Sequence, residues 1–288
     1  MGATTKTKNQ MGEKQRTSSI SSESDDPPPY YEEIEGGGAS SSAPPTAFTG
    51  THQLQVQTLG YDTEQALSGW VFENISIYTV DRGEVEYISL RLQQTSNSCA
   101  LVRGSDTNRT PLISTIYRRG PGRHPKIRIF PRDNSLSVEE AISSDNVQCE
   151  MVDVVSRSII SRTQKFDTSF GNFEWRYGST AERRAEYDAD SLILMERVDL
   201  VRSRDGKAGK RGVRIAQLVR NDEFRTQGTS RRAGGNGGRL MMDLSMWADG
   251  RGTHVKVKDV EAFVVASCLC MLKREADRFR DAQNAAVV

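Results

Sequence analysis

DVEAFVVASCLCMLKREADRFRDAQ, residues 259–283, combines the signals of a helix with the composition of a core. Asp259 stands where an N-cap is expected. From Val260 to Leu272 eleven of thirteen residues are non-polar, the exceptions being Glu261 and Ser267. A helix lying on one face of a sheet shows polar residues at every third or fourth place; one that is apolar all round is buried all round. Thirteen residues rise about 20 Å, short of the roughly 20 residues that a bilayer requires. The stretch therefore predicts a helix enclosed by strands of its own chain, with no transmembrane segment. Lys273, Arg274, Glu275, Asp277 and Arg278 follow at once and read as a solvated end.

The strands that would enclose it are legible upstream. NFEWRY sets Phe173, Trp175 and Tyr177 against Asn172, Glu174 and Arg176; ISLRL alternates Ile88, Leu90 and Leu92 with Ser89 and Arg91; KIRI alternates Ile127 and Ile129 with Lys126 and Arg128. Period two marks half-buried antiparallel strands. Turn signals separate them at Asp81-Arg82-Gly83, Gly120-Pro121-Gly122, Asp205-Gly206 and Asp249-Gly250. LILMERVDLV and GVRIAQLVR flank Asp205-Gly206 and predict a long hairpin. About ten strands emerge, at the spacing of a sandwich or barrel. Ser137 with Glu140 and Ser179 with Glu182 have capping-box spacing and predict two short helices.

Residues 1–51 have another texture. Of the large, purely apolar side chains, the first 50 residues hold only Met1, Met11, Ile20, Ile34 and Phe48. That is too few to offset the entropy of ordering the segment, so the expectation is a disordered tail and a folded domain over 52–288. The first 50 residues carry a net charge of −3 and the rest +4, which the whole-chain value of +1 conceals. Four cysteines, at 99, 149, 268 and 270, are too few and too irregular for a disulfide framework, which predicts a reduced, cytoplasmic chain. Within the tail lies SDDPPPYYEEIE, residues 24–35. Proline pre-sets the extended polyproline II shape that WW domains bind, with a tyrosine ring filling a second pocket. Pro27, Pro28, Pro29 and Tyr30 satisfy the pattern, and Pro28, Pro29, Tyr30 and Tyr31 satisfy it in the next register.

With its PPPY tail, the segments FEWRYGS (173–179), RIAQLVRNDEFRTQGTS (214–230) and GGNGGRLMMDL (234–244), and the apolar final helix, the chain resembles fungal members of the tubby C-terminal-like superfamily, which also holds the phospholipid scramblases and LURP-one-related proteins. The resemblance covers roughly the last 120 residues well; residues 52–160 match in texture only. It implies a mainly β fold, a closed antiparallel barrel of about twelve strands around a buried hydrophobic helix. It carries no catalytic motif.

The residues themselves offer no enzyme site. His52, His124 and His254 are isolated. Cys268 and Cys270, two apart on a helix, point about 200° from each other and cannot readily share a metal ion. GGNGG (234–238) lacks the Lys-Ser/Thr ending of a phosphate loop and precedes a strand, so it reads as a flexible turn. No cofactor is expected. Two basic loops are candidates for anion binding: Arg118, Arg119, Arg123, Lys126 and Arg128 in the first, Lys207, Lys210 and Arg211 in the second. If both sit at one end of a barrel they form an anion-binding surface for acidic phospholipid head groups. Aromatic side chains are sparse in both, so nucleic acid is not an expected partner. The leading expectation is a non-enzymatic interaction protein, cytoplasmic and peripheral to membranes, with a WW-domain partner of the ubiquitin-ligase type. A viral matrix-type structural protein with a PPxY late-domain motif and a scramblase-like lipid-handling protein stand as alternatives.

Overall fold

The structure, a computed structural model, describes residues 2, 47–61, 74–93, 96–118, 123–156, 161–199, 212–248 and 256–286. Among these, thirteen strands form one sheet. They are β1 (His52–Gln57), β2 (Ile75–Thr79), β3 (Val85–Arg91), β4 (Cys99–Arg103), β5 (Ile113–Ile116), β6 (Lys126–Ile129), β7 (Glu150–Asp153), β8 (Val155–Ser156), β9 (Gln164–Thr168), β10 (Gly171–Tyr177), β11 (Ser191–Arg197), β12 (Val213–Arg220) and β13 (Arg239–Met242). The helices are α1 (Val138–Ser143), α2 (Thr180–Ala185), α3 (Ser245–Ala248) and α4 (Val257–Ala286).

The spatial order is β7-β6-β5-β4-β3-β2-β1-β13-β12-β11-β10-β9-β8, with each neighbouring pair antiparallel. The two edges, β7 and β8, are consecutive in the chain and separated only by Val154. They are two halves of one bent strand, the first pairing with β6 and the second with β9. The Val154 N–H donates to Pro125 O at 3.0 Å. Across the seam, Ser169 donates from its backbone N and its Oγ to the Glu150 carboxylate, both at 2.6 Å. The sheet thus becomes a nearly closed barrel of twelve continuous strands, which leaves no long unpaired edge.

α4 fills it. Each residue from Val260 to Leu272 is buried. The two polar exceptions each meet a donor from the wall: Tyr87 Oη donates to Glu261 Oε1 at 2.7 Å, and Trp175 Nε1 donates to Ser267 Oγ at 2.9 Å. Phe263 touches Phe166, Phe170 and Phe173 with ring centroids 5.6–5.9 Å apart, within the range of favourable aromatic pairs.

Several expectations hold in detail. β11 and β12 form the predicted hairpin, and Phe173 and Trp175 are buried on β10. α1 and α2 begin with reciprocal capping boxes at Ser137/Glu140 and Ser179/Glu182. Others need correction. In ISLRL the period is right but the face is inverted: Tyr87 and Ser89 point inward, while Leu92 is 45% exposed, because the interior position facing Glu261 calls for a hydrogen-bond donor. The charged residues after Leu272 are not a solvated end. Lys273, Glu275 and Asp277 are buried, each with a partner on the wall. GGNGG is also buried throughout. A Cβ on Gly235, whose φ is +78°, would lie 2.4 Å from Leu272 O, and one on Gly234 would lie 2.6 Å from Phe279 Cβ. These glycines let the β12–β13 connection lie directly on α4. The folded part also starts before β1: the Phe48 N–H donates to the Glu186 carboxylate, and the Phe48 ring packs on an outer apolar cluster that includes Leu192, Leu194 and Phe224.

Candidate functional site

The strand directions decide where the loops lie. α4 enters the barrel at the end where β3 starts and β4 finishes, since Lys258 Nζ donates to Glu86 there. It emerges at the end where β10 and β12 finish: Arg278 meets Tyr177, and Glu275 meets Arg220. With antiparallel pairing throughout, the β5–β6 connection belongs to this exit end and the β11–β12 connection to the entry end. The strands that flank the two basic loops therefore place their attachment points at opposite ends of the barrel. Arg118 and Arg123 are exposed, and Lys126 Nζ lies 3.8 Å from Asp153. Arg128 is buried: Nη1 donates to Ser144 O at 2.6 Å and Nη2 approaches Asp145 at 3.3 Å. It caps the carbonyl end of α1 and does not face solvent. Arg119, Lys207, Lys210 and Arg211, like Pro27 to Tyr31, lie outside the described residues.

A different site is present at the entry end. A cavity of about 750 Å³ opens beside the first turn of α4, within the roughly 300–1,000 Å³ of small-molecule sites. Leu112, Ile113, Ile129, Phe130, Phe170 and Ala262 supply apolar walls, and Arg103, Arg132 and Lys258 stand around them with Glu150 and Asp259. Arg103 is held by Glu86 at 2.6 Å and its guanidinium lies 4.9 Å from the centroid of the Tyr87 ring. Lys258 Nζ reaches Glu86 at 3.2 Å and Glu261 at 3.0 Å; Arg132 pairs with Asp259 at 2.8 Å. The Lys258 and Arg132 side chains remain 50% and 47% exposed, so an incoming anion can compete for them in high-dielectric surroundings. The positive end of the α4 dipole adds to the same potential. Glu150, also on the lining, is engaged by Ser169 across the barrel seam. Cys149 also lines the cavity; it is the least buried of the four cysteines, and burial pushes its thiol up from the ordinary range despite nearby Arg128.

The exit end is closed by a buried polar lock. Arg220 donates from Nη1 and Nη2 to Glu275 at 2.6 and 2.9 Å, to Asn236 Oδ1 at 2.8 Å and to Ser191 Oγ at 2.6 Å. The Gly235 N–H adds a bond to Glu275 at 3.0 Å. Burial works to raise the Glu275 pKa, but Arg220 and these hydrogen bonds outweigh it and hold the carboxyl below its usual range. Tyr117 Oη donates to Asp277 at 2.7 Å and Arg278 Nη2 to Tyr177 Oη at 2.7 Å. Cys268 and Cys270 are buried core thiols on different sides of α4, each pushed up to about 12 by burial; Arg220 opposes the shift for the first, Arg274 and Lys273 for the second. Among the described residues no group of three or more His, Cys, Asp or Glu could hold a metal ion. No helix among them is long and apolar enough to cross a membrane.

Sequence reasoning missed both ends. The cavity draws on positions 103, 112, 132, 149 and 258, and the lock pairs residues 55 apart; neither spacing is a motif. The one available signal was the glycine run GGNGG (234–238), which the structure shows as a close approach to α4 next to Arg220. Comparison of the chain with protein-family models, with curated proteins and with solved structures finds no match in any of the three.

Proposed function

We propose that this is a non-enzymatic interaction protein of the tubby-like kind, cytoplasmic and peripheral to membranes, whose barrel binds an acidic amphiphile and whose tail recruits a WW-domain partner. The observation that carries the barrel half is the entry-end cavity. Its apolar walls suit an acyl chain, and exchangeable Arg132 and Lys258 at its mouth suit a phosphate or carboxylate head. Acidic phospholipid is a ligand class with both parts. This moves the anion-binding role from the two basic loops, whose attachment points lie at opposite ends, to a site that combines charge with an apolar recess. The helix enclosed by the barrel wall favours the tubby-like reading over a matrix-type one.

The test is calorimetric. Dihexanoyl phosphatidic acid titrated into the full chain is expected to bind and to slow maleimide labelling of Cys149, while the phosphatidylcholine analogue does neither. Arg132→Ala with Lys258→Ala is expected to weaken binding at least about tenfold, or 1.4 kcal/mol; Arg132→Ala alone, which leaves the Lys258 bond to buried Glu261 in place, is expected to weaken it with an unchanged melting curve. Equal binding of both lipids, or no binding of the acidic one, overturns the assignment.

A further inference from the structure

Lys273 is a buried lysine. It is 1% exposed, and its Nζ lies 2.7 Å from Cys99 Sγ and 2.8 Å from Asn97 O. Even oxygen acceptors usually stand about 2.7–3.2 Å from a donor nitrogen, and sulfur is the larger atom, so the contact is intimate. A buried ammonium needs a counter-charge, and Cys99 is the group placed to supply it as a thiolate. Burial works to raise the Cys99 pKa, yet Lys273, by charge and by hydrogen bond, brings it below the ordinary thiol value. The pair lies at the barrel rim: Cys99 opens β4, and Asn97 just before it is only half-buried.

From this geometry we propose that Cys99 and Lys273 form an oxidative cross-linking site, in which peroxide converts the ion pair to a covalent S–N bond between the barrel wall and its axial helix. The chemistry closes within the pair. The thiolate attacks one peroxide oxygen and the O–O bond breaks; the departing hydroxide takes a proton from the Lys273 ammonium and leaves as water. Sulfur is oxidised by two electrons to a sulfenic acid and the peroxide is reduced. The same proton transfer leaves Lys273 as a neutral amine touching the sulfenic sulfur. Nitrogen then attacks sulfur, the S–OH bond breaks, and a second water carries off the hydroxyl and one amine hydrogen. The product is a sulfenamide, the condensation open to a sulfenic acid beside a nitrogen nucleophile, and excess thiol reverses it. It would join residues 99 and 273 across most of the chain, and a cross-link closing so long a loop constrains the unfolded state.

The full chain, native, is treated with hydrogen peroxide, then denatured, alkylated and mapped by mass spectrometry. A product lighter by two hydrogens, with the Cys99 and Lys273 peptides linked, reversed by dithiothreitol and absent when peroxide is added in urea, supports the proposal. A melting temperature raised by several degrees in the cross-linked form is expected with it. Cys270 is the competing partner, so Cys270→Ser must still cross-link. Lys273→Arg, which keeps the charge but not the nucleophilic amine, must not. The Cys270→Ser peptide map decides the matter even if Lys273→Arg fails to fold, because a Cys99–Cys270 disulfide would have the same mass change and the same reversal by thiol. Loss of the product in Cys270→Ser, a Cys99 that is oxidised only to sulfinic or sulfonic acid, or one that stays alkylatable overturns it.

Discussion

Glu275 stays charged inside the barrel because Arg220 meets it with both terminal nitrogens and the Gly235 N–H adds a third donor. Such a pair stabilises little relative to a well-packed apolar pair, but breaking it strands a buried charge at a cost of about 3–5 kcal/mol. Glu275→Gln is therefore expected to destabilise the fold by that order in urea unfolding at pH 7. The acid limb carries the sign. The folded carboxyl titrates below its ordinary value, so its contribution is complete above the unfolded pKa of about 4.3 and is lost as pH falls through the lower folded value. Wild type and Glu275→Gln should accordingly converge as the pH drops below about 4. Equal stability at pH 7, or a gap that persists unchanged into acid, would mean that the pair is not what holds this end. Nothing local announced the pair, because Arg220 sits in RIAQLVR with an ordinary strand pattern and Glu275 in a run of charges with an ordinary surface pattern.

At the scale of the element, α4 was legible where apolarity is continuous and illegible where it stops. The run from Val260 to Leu272 predicts an enclosed helix, and it is buried throughout. Beyond it, burial depends on distant partners: Cys99 and Asn97 for Lys273, Arg220 for Glu275, Tyr117 for Asp277, Tyr177 for Arg278. A charge reads as solvated until its partner is known. The same limit explains β3, where the alternation was visible but the inward face was fixed by Tyr87 donating to Glu261, 174 residues away. Two substitutions gauge the helix. Leu269, 2% exposed, replaced by Asp would bury an unpaired carboxylate at a cost of several kcal/mol even after its pKa shifts. Against a total stability of about 5–15 kcal/mol, that should unfold or aggregate the domain. Arg278→Asp, at a position that the sequence alone assigns to solvent, should also destabilise, because it removes the donor to Tyr177 and sets a second carboxylate near Glu275. A silent Arg278→Asp with a failed Leu269→Asp would mean that the enclosed helix ends near Leu272.

The whole molecule joins two kinds of chain. The barrel closes because one bent strand, Glu150 to Ser156, serves both edges. That was beyond sequence reading, since no local pattern says that a seven-residue stretch changes partners at Val154. Strand count and helix placement sufficed for the class of fold, and the seam supplied its closure. The WW-binding role proposed for Pro27 to Tyr31 draws on none of the barrel residues, so it should be separable from that of the barrel. A WW–peptide contact of tens of micromolar, roughly −6 kcal/mol, is weak by itself, and attachment to a membrane-bound barrel would raise its effective concentration. Tyr30→Ala with Tyr31→Ala in the full chain should abolish capture by immobilised WW domains, because both registers lose their ring, while the melting curve and acidic-lipid binding stay as in wild type. Loss with Tyr30→Ala alone would select the Pro27–Tyr30 register. On lipid vesicles, WW capture by wild type should strengthen when acidic lipid is present and return to the solution value with Arg132→Ala and Lys258→Ala, since only the barrel anchors the tail. Capture that survives the double tyrosine change would remove the motif from the mechanism, and capture indifferent to acidic lipid would leave tail and barrel as unrelated functions.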